Sequence, residues 1–267
     1  MYKAVFTDMD GTLLREDHTV SHTTKKTIQK LINKGILVIP ISARPLHGML
    51  HITDTIFPQD IPVVSLNGGY IYHNGSIIYQ IDVSIPEAEG INKLAEKHPV
   101  SAMYYSQMEW YANANTSAVR KEQKITPVAV IIQPFEKTIA TWEKTNAGPN
   151  KILIAGEPAL ILNVEKELLE QFGKDLNIYK SQPKYVEVMN HAASKTNAMQ
   201  FIMKMYGLEK DEVIAIGDNY NDKGMIEFAG LGVAMGNAPE EIKAAADIVT
   251  DSNNSDGVAK ALEKLFT

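Results

Sequence analysis

The chain contains no cysteine. That excludes disulfide staples and every cysteine-ligated metal site, and it fits a reducing compartment. Excess positive charge is also missing: 26 lysines and arginines face 32 aspartates and glutamates, a formal charge of −6. A general nucleic-acid or membrane-surface binder needs basic patches to meet phosphates, so neither partner is expected. No apolar run approaches the roughly 20 residues that span a bilayer. The first residues, from Met1 to Asp8, meet an acid before a signal-peptide core can form. Glycosylation-type triplets at Asn74, Asn115 and Asn253 are then coincidental, and a cytoplasmic location is expected. What is present is ordinary for a globular chain: 267 residues, 45% hydrophobic and 22% charged, long enough to bury a core unaided.

The apolar segments alternate in type. Residues 3–7 have strand composition and stop at Asp8. Ser21 can cap a helix that places Ile28, Leu31 and Ile32 on one face, with Gly35 as its stop. Residues 36–39 are apolar on both faces, as a buried parallel strand requires. Pro40 is tolerable only near that strand's end, and Pro45 suits the first turn of the next helix. A third buried strand is predicted at 61–66. The C-terminal third repeats the alternation. A helix capped by Ser194 carries Phe201, Ile202 and Met205 inward and closes at Gly207; a strand follows at 213–216 and a helix at 221–229. Short strands at 231–235 and 248–250 precede a last helix at 256–266. This is the pattern of an α/β fold with a doubly wound parallel sheet.

Residues 83–190 differ in character. They hold both tryptophans, Trp110 and Trp142. Paired strands are predicted at 102–106 and 109–112, further strands at 128–132 and 151–155, and helices at 86–98, 136–145 and 158–172. The reading is an α+β domain at 83–190 inserted into an α/β core made of 1–82 and 191–267.

Four places carry chemistry. Asp8-Met-Asp10-Gly11-Thr-Leu directly follows a buried strand, and ligands of open parallel sheets bind beyond strand carboxyl ends. Alone, an Asp-x-Asp is a polar strand end with a turn; the apolar strand before it and Gly-Thr-Leu after it favour one carboxylate attacking phosphorus and the other handling protons. Gly217-Asp218-Asn219-Tyr220-Asn221-Asp222 also follows a buried strand. Its acids, four apart, point the same way across one helical turn. An Asp there is ordinarily a helix cap, but with the first cluster it suggests a magnesium site, since that ion takes carboxylate oxygens, waters and substrate phosphate. Ser42-Ala43-Arg44 ends another strand, where a hydroxyl and backbone N–H groups suit phosphate oxygens. Lys195 sits in the first turn of a helix, where the dipole disfavours a cation unless an anion lies beside it.

These pieces, in this order, resemble the haloacid dehalogenase superfamily, most closely its Cof-type sugar-phosphate phosphatases with the larger α+β (type IIB) cap. Asp8-Met-Asp-Gly-Thr-Leu-Leu is similar to the first motif, Ser42 to the second, Lys195 to the third and Gly217–Asp222 to the fourth. Asn67-Gly-Gly, Gly232-Val-Ala-Met-Gly236-Asn-Ala and Asp256-Gly-Val-Ala also resemble recurring Cof-type stretches. The chain departs from the pattern in having Ser-Ala-Arg for Thr-Gly-Arg, and Ala-Ala-Ser-Lys for Gly-Val-Ser-Lys.

The resemblance implies a Rossmann-like core, a substrate-selecting cap and a magnesium-dependent phosphatase. Mg2+ is expected on Asp8, the carbonyl of Asp10, and Asp218. Asp8 is the implied nucleophile and Asp10 the acid and base. Ser42, Ala43, Lys195 and Asn221 are implied to hold phosphate, with Arg44 and Asp222 in support. Tyr104, Tyr105, Trp110, Arg120 and Lys124 are candidate specificity residues whose plainer reading is core or surface. The expected partner is a small phosphorylated metabolite, the expected state a monomer or weak homo-oligomer. A phosphotransferase or mutase using the same intermediate, and a silent sugar-phosphate-binding protein, are the alternatives. His47 and His51 have helical i, i+4 spacing but no third metal ligand in view. The glycines at 230, 232 and 236 have the wrong spacing for a dinucleotide loop.

Overall fold

The computed structural model describes residues 1–126 and 128–266. It divides into two units: Met1–Arg44, Met49–Ile78 and Ser194–Thr267 in the first, Pro45–Gly48 and Tyr79–Ala193 in the second.

The first unit begins with β1 (Ala4–Asp8), α1 (His22–Asn33), β2 (Leu37–Ile41), most of α2 (His47–Thr53), β3 (Val63–Ser65), β4 (Tyr70–His73) and the first part of β5 (Ser76–Gln80). After the second unit come α7 (Lys195–Tyr206), β12 (Val213–Gly217), α8 (Lys223–Phe228), β13 (Leu231–Ala234), α9 (Glu240–Ala245), β14 (Ile248–Val249) and α10 (Gly257–Leu265). The strands form one sheet in the order β14-β13-β12-β1-β2-β3-β4-β5. From β14 to β3 every pairing is parallel. β1 lies at the centre with Ala4, Val5 and Phe6 fully buried, which is why its sequence shows no polar alternation. Chain order reverses on the two sides of β1, so β1 and β12 flank the switch point where such sheets bind ligands.

α1 starts as expected: the Ser21 hydroxyl accepts from the Thr24 N–H at 3.0 Å. Pro40 is the last residue but one of β2, where pairing to β3 consists of Ile41 opposite Val64. The parallel sheet is as expected and carries an antiparallel edge, since β4 runs antiparallel to β3; two predictions need correction, the inward Met205 and the helix at 221–229. The β4–β5 hairpin turns at Asn74-Gly75, both at positive φ, a hairpin signal in the sequence that was taken only for a glycosylation-type triplet. Met205 is exposed, and Met203 joins Lys195, Ala198, Met199 and Ile202 on the buried face of α7, the stripe that helical periodicity demands. The helix predicted at 221–229 is instead a single 3-10 turn at Tyr220–Asp222 followed by the shorter α8.

The second unit contains α3 (Ile85–Ala95), β6 (Ser101–Ser106), β7 (Glu109–Ala112), α4 (Ser117–Ile125), β8 (Ile131–Ile132), α5 (Phe135–Thr145), β9 (Lys151–Ala155), α6 (Pro158–Phe172), β10 (Leu176–Gln182) and β11 (Tyr185–Asn190). Its sheet order is β10-β11-β9-β6-β7-β8, antiparallel except for β7 with β8. Alternate residues feed two apolar clusters. One joins Tyr104, Ile152, Ile154 and Val186 with Ile91, Trp142 and Leu168 from α3, α5 and α6. The other joins Met103, Tyr105, Trp110 and Leu153 with Val119 of α4. Tyr104, Tyr105 and Trp110 are buried, which makes them core. Arg120 and Lys124 are exposed on α4, and Arg120 donates to the carbonyl of Asn115 at 2.6 Å. Among the described residues no helix is long and apolar enough to cross a membrane.

Candidate active site

Asp8 is the last residue of β1 and is almost fully buried. The chain must turn at once to clear the neighbouring strand, and Gly11 makes this possible with φ +79°. A Cβ on Gly11 would lie 2.3 Å from Asp218 Oδ2, so only glycine lets the two acidic segments approach. Because β1 pairs with β12, Asp218, just past the end of β12, comes out beside Asp8. The Thr12 hydroxyl donates to Asp218 Oδ1 at 2.7 Å and the Asn237 amide to the Gly11 carbonyl at 2.8 Å and to Asp218 Oδ2 at 3.4 Å.

Lys195 opens α7 behind its Ser194 cap and is fully buried. Its Nζ donates to Asp8 Oδ1 and, at 2.5 Å, to Asp222 Oδ1. The conflict of a cation at a helix start is therefore resolved by two carboxylates. Asp222 Oδ2 accepts the backbone N–H groups of Asp218 and Asn219, both at 3.0 Å, which folds the 3-10 turn and fully engages that side chain.

The electrostatics are unbalanced. Burial alone would lower the Lys195 pKa, but Asp222 and Asp8 hold it above its ordinary value. Burial, and then Asp222, push Asp8 well above the usual carboxylate range against the pull of Lys195. Burial pushes Asp218 up to about 6, with the Thr12 hydrogen bond opposing. Oxygens of Asp8, Asp218 and Asp222 all lie within 4.8 Å of one another. Three carboxylates thus face one ammonium, an oxygen-rich donor set that suits a hard divalent cation.

The second strand end supplies Ser42, buried, whose hydroxyl accepts from the Arg44 N–H at 3.1 Å, and Ala43, half-buried beside it. Arg44 reaches across to Asp10: Nε donates to Oδ2 at 2.7 Å and Nη2 to Oδ1 at 2.6 Å. His18 Nδ1 lies 3.3 Å from the same Nη2. Asn221 stands exposed on the 3-10 turn and donates from Nδ2 to Asn67 Oδ1 at 2.9 Å.

The structure therefore brings Asp8, Lys195, Asp218 and Asp222 into one cluster and links Asp10 to Arg44. Sequence reasoning gave no role to Thr12, Asn67 or Asn237. Asn67 and Asn237 each sit beside a glycine at a strand end, a signal that was visible but not read as chemistry. His47 and His51 lie on α2 and, among the described residues, do not belong to the acidic cluster.

Comparison with known proteins agrees with this geometry. Residues 5–262 match the haloacid dehalogenase-like hydrolase family model. A Haemophilus influenzae protein whose name provisionally calls it a phosphatase is 39% identical, over 100% of this chain and 99% of its own. A Bacillus subtilis 5-amino-6-(5-phospho-D-ribitylamino)uracil phosphatase is 30% identical over 97% and 94%. Among solved structures, a haloacid dehalogenase-like hydrolase from Bacteroides thetaiotaomicron superposes with a TM-score of 0.90 at 30% identity, covering 100% of both chains. A subclass IIB sugar phosphatase superposes at 0.81 and 25% identity, covering 98% of each. A nearly full-length family match and an acidic cluster at the sheet's switch point lead to one conclusion: the chain belongs to the haloacid dehalogenase-like hydrolases, in their Cof-type branch, and is a phosphatase.

Proposed function

We propose that this phosphatase is magnesium-dependent and hydrolyses a sugar phosphate or similar small phosphorylated metabolite through an aspartyl-phosphate on Asp8. The observation that carries this reading is the surplus of carboxylate: buried Asp8 and Asp222 and half-buried Asp218 around the single ammonium of Lys195. Asp222 is fully buried and committed to Lys195 and to the backbone of its own turn, so Asp8 and Asp218, at the ends of the paired strands β1 and β12, are the carboxylates that would hold Mg2+, with the Asp10 carbonyl as the third protein ligand. Bound there, the ion supplies positive charge that offsets repulsion between Asp8 and an anionic phosphate.

The remaining chemistry belongs to the chain. A carboxylate oxygen of Asp8 attacks phosphorus in line; its bond to phosphorus forms as the ester bond breaks. Lys195, already fixed on Asp8 Oδ1, the Ser42 hydroxyl, the Ala43 N–H and the Asn221 amide hold the phosphoryl oxygens as charge redistributes. Asp10 protonates the leaving alkoxide and then takes a proton from the water that attacks phosphorus and frees Asp8. Both Asp10 oxygens accept from Arg44 in this structure, so the role requires the side chain to rotate out of that clamp. Asp222 positions Lys195.

Support for the substrate class comes from two relatives whose names specify a sugar phosphatase and a phosphatase of a phosphoribityl compound; both describe phosphate on a polyhydroxylated carbon chain. In this reading residues 83–190 form the cap that selects the alcohol carried by the phosphate, 1–82 and 191–267 form the catalytic core, and the enzyme works in the cytoplasm.

The test is phosphate release from a panel of sugar phosphates, polyol phosphates and nucleotides, with and without Mg2+, for the wild type and Asp8→Asn. Release is expected only with the metal and should fall by at least about a thousandfold in Asp8→Asn. Transfer of phosphate to a sugar hydroxyl instead of water would make the protein a phosphotransferase. Tight binding without turnover of any ester would make it a binding protein.

A further inference from the structure

The turn that leaves β3 is strained in a way the fold alone does not demand. Leu66, Asn67 and Gly68 take φ values of +50°, +53° and +90° in succession. Leu66 has no local side-chain compensation for that region, and strain of this kind persists only where surrounding contacts over-determine it. Those contacts are visible. The Leu66 N–H donates to the Arg44 carbonyl at 3.0 Å and the Asn67 N–H to the Ser42 carbonyl at 2.9 Å, while the Ser42 N–H donates to the Val64 carbonyl at 2.9 Å. On its other side the turn presses on the start of α7: a Cβ on Gly68 would fall 2.2 Å from the Ser194 carbonyl oxygen, one residue before Lys195. Finally, Asn67 Oδ1 accepts from Asn221 Nδ2. One turn thus touches the Ser42–Arg44 loop, the start of α7 and the 3-10 turn bearing Asn221.

Asn221 needs such a partner. It is exposed on a single 3-10 turn, so its own element does little to hold its amide. A carbonyl acceptor at Nδ2 fixes which end of the amide is nitrogen and how the plane is rotated.

We propose that Asn67 is a positioning residue of this active site: its side-chain carbonyl orients the Asn221 amide for phosphate, and the strained Leu66–Gly68 turn holds Asn67 in register with Ser42 and Lys195. The inference rests on the phosphate role given to Asn221 above.

Glycine separates side chain from backbone here, because Asn67→Gly adopts positive φ without strain while deleting the acceptor. The experiment measures inhibition of p-nitrophenyl phosphate turnover by inorganic phosphate, at saturating Mg2+, for wild type, Asn67→Gly, Asn221→Ala and the double variant. Thermal unfolding and the side-chain amide NMR signals of Asn221, identified by their loss in Asn221→Ala, are recorded alongside. Asn67→Gly is expected to unfold no earlier than wild type and to bind phosphate about fivefold to tenfold more weakly, the value of one oriented hydrogen bond. The double variant should bind no worse than Asn221→Ala, since one route carries both losses, and the Asn221 amide signals should move in Asn67→Gly. Wild-type phosphate affinity in Asn67→Gly, or losses that multiply while the amide signals stay put, would overturn the proposal. Wild-type affinity in Asn221→Ala would instead defeat the phosphate role of Asn221; the amide signals then decide whether Asn67 orients it.

Discussion

The two units of this protein bury charge to opposite effect. In the second unit Lys151 lies 3.5 Å from Glu187 and 4.9 Å from the centre of the Tyr105 ring, and Tyr179 donates to Glu187 at 3.0 Å. Burial pushes the Glu187 pKa up, but Lys151, Tyr179 and Ser181 more than offset it, and it ends below its ordinary value. One cation meets one anion and the remaining acceptor sites find donors. In the first unit the same kinds of group are mismatched: Lys195 pairs with two carboxylates, a third, that of Asp218, lies beside them, and Asp8 ends well above the usual range. A balanced buried pair is finished structure. An unbalanced one leaves carboxylate oxygens whose charge the chain itself does not offset, and that distinguishes a candidate site from a strut.

The most disruptive way to break the contrast is to remove the core's cation. Lys195→Met should cut phosphate release about a hundredfold to a thousandfold, the range for losing one preorganised donor to developing charge. It should also destabilise the protein by about 3–5 kcal/mol in urea unfolding without metal, since Asp8 and Asp222 are left buried and unpaired. Lys151→Met tests the balanced side. It should cost about 3 kcal/mol in the same assay, and Lys151→Met with Glu187→Leu should recover most of it. If the single variant is silent, the pair is not a strut.

Metal sharpens the comparison further. Mg2+ at a hundred times its dissociation constant should stabilise the wild type by about 2.7 kcal/mol, and the gain should persist in Lys151→Met but vanish in Asp218→Asn. It should also shrink as pH falls through about 6, because a proton then competes for Asp218. The smallest effect concerns Asp82, in the second unit. Burial raises its pKa from 3.8 to about 6, against hydrogen bonds from Gln80 and the Gly148 backbone. A raised carboxylate stabilises the fold when protonated, so its contribution is complete below 3.8 and is lost as pH rises through about 6. Asp82→Asn should flatten that part of the melting-temperature profile. The measurement belongs in an Asp218→Asn background, where the core's carboxylate of the same range is silent; an unchanged slope would refute the assignment.

Much of the core was legible because parallel strands buried on both faces write themselves as apolar runs: β1, β2 and β12 appear in the sequence almost residue for residue, and each ends at an acid or hydroxyl that reaches the site. Ser21, Ser194 and Gly207 marked helix ends for local reasons of hydrogen bonding and positive φ. Edge elements were harder. The β4–β5 and β10–β11 hairpins carry partly exposed, mixed residues, so neither period stands out. α4 has few apolar residues to betray it. In the site, the charged members were legible by type and spacing. Thr12, Asn67 and Asn237 were not, since a neutral amide or hydroxyl in a loop has many structural uses and gains meaning only from what lies opposite.

By itself the sequence determined the buried core strands and most of the helices between them, the four chemical segments at strand ends and the resemblance those segments carry. These follow from local propensity and from the need to bury apolar runs. Only the tertiary structure decided that Asp10 is clamped by Arg44, that Asp222 gives one oxygen to Lys195 and the other to the backbone of its own turn, and that Asn67 accepts from Asn221. Each is a contact between residues dozens to hundreds of positions apart or a choice among partners, and a hydrogen bond's partner is fixed by distance and angle, which chain order does not encode.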